Sequence, residues 1–221
     1  MLQNCHTNAV LASNPHEKMV SSDAFAVTAS TKINGPSARS VFIIQNANEN
    51  QDQQIRYGQD VRLCTVPELC ERELYLNSLP LTPMTFARYS RNQEVSVYHR
   101  KAYNTNWRIQ PSSGVREDRQ GEPVKACDAI ILEHVATANY LTNDHIAYQN
   151  IFGGETEVSC MAQASKHKTQ ILLNESIGSQ VRENVHKVVP TQNLWNFNLA
   201  SDASQAEPAS VAPKATAADL L

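Results

Sequence analysis

The side chains able to do chemistry are scattered along this 221-residue chain. Seven histidines, His6, His16, His99, His134, His145, His167 and His186, form neither an HExxH signature nor a His-x-His pair. A zinc site needs three or four ligands converging on one point, and no such spacing is visible. They read as turn and surface histidines. Five cysteines, Cys5, Cys64, Cys70, Cys127 and Cys160, include no CxxC pair and mostly sit in apolar, strand-like runs. They read as reduced core thiols. No serine lies in GxSxG and no cysteine in a recognisable Cys–His setting, so no nucleophile is indicated. Gly153-Gly154 is not followed by Lys-Ser or Lys-Thr and reads as a strand-connecting turn. Asp128, Glu133, Glu155 and Glu157 could supply an acid–base pair only if the fold opposed two of them, which spacing does not dictate. The expectation is a protein without catalytic residues, metal or cofactor, and not an enzyme.

What remains for function is surface charge. Arg116 and Arg119 lie in the polar stretch Ser112 to Glu122, and Lys166 and Lys168 in a second stretch, Ala164 to Pro190. Most such cations are simply solvated; these four are the candidates for contact with acidic partner surfaces. A formal charge of −3 and a pI near 6.2 leave no basic footprint for nucleic acid. The start, MLQNCHTNAV, has no cationic head or apolar core of a secretory signal, and no run reaches membrane-spanning length. The reading is a soluble intracellular protein with no membrane partner.

The elements that would position these residues repeat. AIILEHVATANYLTN, Ala129 to Asn143, has an apolar run, a Thr, then a hydrophobic-Leu pair and a small polar turn. CHTNAVLAS, Cys5 to Ser13, and VRLCTVPELCERELYLNS, Val61 to Ser78, follow the same plan. Leu11, Leu76 and Leu141 are spaced by 65 and 65 residues, and Val27, Val95 and Val158 by 68 and 63. Phe42 or Ile43, Trp107 and Trp195 keep the period once and then stretch to 88, which assigns an insertion to about residues 164–190. Between the landmarks, DAFAVTAS, NQEVSVYHR, ETEVSCMAQ and LWNFNLAS alternate as half-buried strands, and SVFIIQNA reads as a buried one. Asn14 to Lys18 reads as a polar break, Asn34-Gly35-Pro36 as a turn with Gly at positive φ, and VPELCEREL as one turn of helix.

Short strands cannot bury their apolar faces alone. Three copies closed around an axis remove most free edges and create one core. The expected fold is all-β, a β-trefoil-like barrel over residues 1–202, with copies at about 1–48, 55–113 and 123–202. Copy one starts inside a strand, so its first strand reads as missing, which would leave an edge open to strand addition. Residues 203–221, rich in Ala, Ser and Pro, read as a polar low-complexity tail.

CHTNAVLAS, with Thr7 and Leu11, resembles the MIR-type β-trefoil repeat. Together with SVFIIQ, RYGQD (Arg56 to Asp60), ELYLNS, FGGETEV (Phe152 to Val158) and LWNFNLAS, it resembles the cilia- and flagella-associated protein 161 family up to about Ser201. That resemblance implies a non-enzymatic microtubule inner protein on the luminal wall of axonemal doublets, with α/β-tubulin and neighbouring inner proteins as partners. The family's N-terminal extension and first YG-type strand have no counterpart here, and the 164–190 stretch and the tail match nothing in the family's pattern. A MIR- or lectin-like trefoil binding a sugar or small ligand is the alternative reading.

Overall fold

The computed structural model describes residues 1–20, 22–33, 35–48, 54–112, 118–126, 128–162, 176 and 189–199. It is all-β. Among the described residues twelve strands form one continuous sheet: β1 (Leu2–Asn4), β2 (Val10–Lys18), β3 (Phe25–Ser30), β4 (Phe42–Asn46), β5 (Asp60–Thr65), β6 (Tyr75–Ser78), β7 (Gln93–Tyr98), β8 (Trp107–Pro111), β9 (Ala129–His134), β10 (Asn139–Asn150), β11 (Gly153–Met161) and β12 (Trp195–Phe197). Six of them, β1, β12, β9, β8, β5 and β4, lie side by side in that order, each antiparallel to the next. The other six form hairpins β2–β3, β6–β7 and β10–β11. The second strands of these hairpins pair with one another, Phe25 with Val97, Ser159 with Glu94 and Thr156 with Ala29.

Of the spaced landmarks, the leucines, valines and tryptophans meet in one core, while Phe42 is half-buried against it and Ile43 is 43 % exposed. Leu11, Leu76, Leu141, Val27, Val95 and Val158 are all buried, as are Trp107 and Trp195 at the heads of β8 and β12. A buried indole needs an acceptor for its N–H. Trp107 Nε1 donates to the Leu76 carbonyl at 2.9 Å, and Trp195 Nε1 to the Leu141 carbonyl at 2.9 Å. Each tryptophan follows a short 3-10 turn, Tyr103–Thr105 and Thr191–Asn193. The turns after β1 and β9 also match: Asn8 N–H donates to the Asn4 carbonyl at 3.0 Å and Ala138 N–H to the His134 carbonyl at 2.8 Å. Both closing residues are left-handed, with φ of 56° and 54°.

Several local expectations are corrected. Asn14 to Lys18 is no break: β2 runs through it, with a register shift between Asn14 and Lys18, because this part projects past the core and backbone pairing does not require apolar side chains there. Thr142-Asn143 is not a turn but the middle of β10, and Asn143 is buried, accepting from Thr7 Oγ1 at 2.5 Å and donating to the Glu157 carbonyl at 2.9 Å. Residues 66–73 close a turn, with Leu69 N–H donating to the Val66 carbonyl at 3.1 Å, without forming a helix. Gly35 lacks a positive φ, and Asn34 lies outside the described residues. Gly153-Gly154 opens β11, so the tip is Ile151-Phe152. The first strand is present as β1, paired with β12 and β2. β4 is only partly buried, since among the described residues it has a strand partner on one edge alone.

Candidate docking surface

Of the four cations singled out by sequence, Arg116, Lys166 and Lys168 lie outside the described residues. Arg119 is held within its own loop. Its Nε donates to Glu122 at 3.1 Å, Nη2 lies 4.0 Å from Asp128, and the guanidinium sits 4.7 Å above the Tyr57 ring. Tyr57 belongs to RYGQD, and that motif is an internal clamp. Gly58, at φ +81°, turns the chain so that its N–H reaches the Ile109 carbonyl at 2.8 Å. Tyr57 is buried and exchanges backbone bonds with Glu122 and Gly121, while Asp60 holds Arg108 through two bonds of 2.7 and 3.2 Å.

FGGETEV forms a second clamp, at the junction of the hairpins. Glu155 is buried and accepts from Arg39 at 2.9 and 3.0 Å, Thr28 Oγ1 at 2.7 Å and Asn150 Nδ2 at 2.7 Å. Burial alone would raise this carboxyl, but the bonds from Arg39, Thr28 and Asn150 outweigh it and hold it below the ordinary 4.5. The Arg39 guanidinium also lies 3.4 Å from the centroid of the Phe152 ring. Glu157 accepts the backbone N–H groups of Tyr89 and Ser90 at 2.9 and 2.8 Å, tying the β6–β7 connection to β11. Glu133 meets Gln110 and Asp128 meets Tyr57, so the four carboxylates considered as an acid–base pair are each engaged elsewhere.

That tie shapes a groove of about 430 Å³ between the β2–β3 turn, the β6–β7 connection and β10–β11. Its open side carries apolar groups in water: Val20 is 106 % exposed, Met84 83 % and Tyr89 46 %, with Leu81 beside them in an adjoining cleft. Tyr89 packs on Tyr148 at 5.0 Å between ring centroids. The rim is cationic. Lys18, Arg88 and Arg91 are exposed, with Arg88 3.8 Å from Glu17 and Arg91 4.4 Å above the Phe86 ring. Glu94 and Glu157, also in the lining, are buried beneath it. Apart from Glu157, weighed above as one of four carboxylates, none of these groove residues was a sequence candidate. Apolar Leu81 and Met84 inside a Pro-containing connection were the available signal.

Two further side-chain classes are placed by the fold. Cys64 and Cys160 are buried free thiols, and burial pushes them up to about 11 and about 12, so neither is a thiolate at neutral pH. Cys5 and Cys70 are free and half-buried, and Cys127 lies outside the described residues. His134 is a correction to the surface reading, being fully buried at the end of β9. Its Nε2–H donates to the Asn104 carbonyl at 3.0 Å while Nδ1 accepts from Thr137 Oγ1 at 2.8 Å.

Comparison with known proteins agrees with this architecture. The Arabidopsis thaliana SDF2-like protein aligns over 88 % of this chain and 88 % of its own, with a TM-score of 0.61 and 20 % identity. A Saccharomyces cerevisiae structure, the protein O-mannosyltransferase Pmt1-Pmt2 complex bound to the sugar donor, covers 95 % of this chain and 26 % of its own, with a TM-score of 0.61 and 18 % identity. These likenesses establish an SDF2-like, MIR-type fold. A Bos taurus relative, cilia- and flagella-associated protein 161, is 32 % identical over 145 residues, which are 64 % of this chain and 44 % of the relative. The chain therefore spans less than half of that relative's length. Residues 7–177 match the cilia- and flagella-associated protein 161-like domain, and the chain belongs to that family.

Proposed function

We propose that this chain is a non-enzymatic structural protein of cilia and flagella, a β-trefoil of three copies that binds the luminal wall of axonemal doublet microtubules and stabilises them. The observation that carries the reading is the family match over residues 7–177. The three-copy trefoil is supported by the matched Trp107 and Trp195 bonds and by the mutual pairing of β3, β7 and β11. Its partners in this reading are α/β-tubulin and neighbouring inner proteins. Many weak contacts repeated along a filament give firm retention. The test is localisation of the tagged protein in ciliated cells. Signal that stays with axonemes after a high-salt wash supports the reading and removes the sugar-binding alternative. Signal released entirely into the soluble fraction overturns it.

A further inference from the structure

The groove between the hairpin ends combines two features that select one kind of occupant. Val20, Met84 and Tyr89 hold apolar surface in water around a concavity of about 430 Å³, the shape that receives inserted side chains. The exposed charge on its rim is three cations, Lys18, Arg88 and Arg91, against one half-buried carboxylate, Glu17, which lies 3.8 Å from Arg88, whereas Glu94 and Glu157 are buried and Glu157 is already capped by the Tyr89 and Ser90 amides. Arg88 and Arg91 lie near aromatic rings, Tyr89 at 5.6 Å and Phe86 at 4.4 Å, which limits their freedom and lowers the entropy lost on pairing.

We propose that this groove docks a short acidic segment of a partner protein, seating one or two apolar side chains against Val20, Met84 and Tyr89 while flanking carboxylates meet Lys18, Arg88 and Arg91. Apolar insertion supplies the holding energy, and the cationic rim selects sign and speeds encounter. The inference rests on the structural-protein reading only in taking the occupant to be a protein.

The test uses the full chain and a labelled peptide, Glu-Glu-Leu-Phe-Glu-Glu, followed by fluorescence anisotropy. The expected dissociation constant is on the order of 10–100 μM. A twin with Lys for Glu, and another with Ser for Leu and Phe, should each bind at least about tenfold more weakly. Met84→Asp and Arg91→Glu should weaken the parent peptide by about tenfold or more, because both side chains face solvent and neither supports the core. Tyr103→Asp, at another exposed site that lies outside the groove, should change nothing. No binding by the full chain, equal binding of the Lys twin, or indifference to Met84→Asp overturns the proposal. A dimer in sedimentation that Met84→Asp dissolves also overturns it, assigning the face to a second copy. Axonemal localisation is read separately, so either idea can fail while the other stands.

Discussion

Trp195 donates its indole N–H to the Leu141 carbonyl at 2.9 Å, on a strand 54 residues away in sequence. Trp107 makes the same 2.9 Å bond to Leu76. Each ring therefore fills the core and also tethers a barrel strand to the hairpin that precedes it. Trp195→Phe keeps an aromatic ring but deletes the donor and part of the volume, leaving a buried carbonyl short of a partner. We predict a loss of about 2 kcal/mol, made up of a lost hydrogen bond and a small cavity. Trp107→Phe should cost the same within about 1 kcal/mol, since the geometry is shared. Urea unfolding of the two variants measures this. A loss well under 1 kcal/mol at either site would show that the tether contributes little.

These anchors were legible in sequence because burial constrains residue type strongly. Leu11, Leu76 and Leu141 could be aligned by counting, and all three are fully buried. Where the backbone alone decides, the signal vanished. β2 continues through polar Asn14 to Lys18 because its pairing with β3 resumes at Lys18 after a bulge. Asn143 resembled a turn residue, yet its amide joins neighbouring β11, at Thr156 and Glu157, to Thr7, 136 residues away. The groove was the least legible feature. One of its walls is set where Glu157 ties Tyr89 and Ser90 to β11, a contact across 67 residues or more that no local pattern announces.

Glu155 makes stability depend on acid. Its folded-state pKa lies below the ordinary 4.5, so the unfolded chain takes up a proton first as pH falls. Its contribution is therefore complete above about pH 4.5 and is lost as pH drops through the folded value. Glu155→Gln should flatten this part of the pH–stability curve. Glu155→Ala should cost more, about 3–5 kcal/mol, because it strands the guanidinium of Arg39. Thermal melts from pH 7 to pH 3 test the sign. An unchanged acid limb in Glu155→Gln would remove the residue from the account.

His134 acts in a higher pH window. Burial, the larger effect, lowers its pKa from the ordinary 6.5, while the Asn104 carbonyl opposes that shift. The unfolded histidine thus protonates first, and stability declines as pH falls below about 6.5 toward the folded value. The bonds also assign the tautomer: Nε2 carries the proton to Asn104, leaving Nδ1 to accept from Thr137. Nitrogen NMR of the ring at pH 6.5 should show a neutral Nε2–H imidazole. A ring mostly charged at that pH would contradict the buried network.

Gly58 separates a clamp from a tolerant loop. At φ +81° it places its N–H on the Ile109 carbonyl, and a Cβ there would touch the Gln120 side chain only at ordinary contact distance, 3.4 Å. The penalty of Gly58→Ala is then conformational rather than steric, about 1–2 kcal/mol for a non-glycine residue held left-handed. Gly121, at φ +82° with open space around it, should cost a similar amount for the same reason. If RYGQD is a structural clamp, Gly58→Ala should lower the melting temperature while leaving peptide binding at the hairpin groove unchanged, since the groove draws no residue from this loop. Denaturation and anisotropy on the same variant separate the two effects. Loss of peptide binding without loss of stability would assign RYGQD to the docking surface instead.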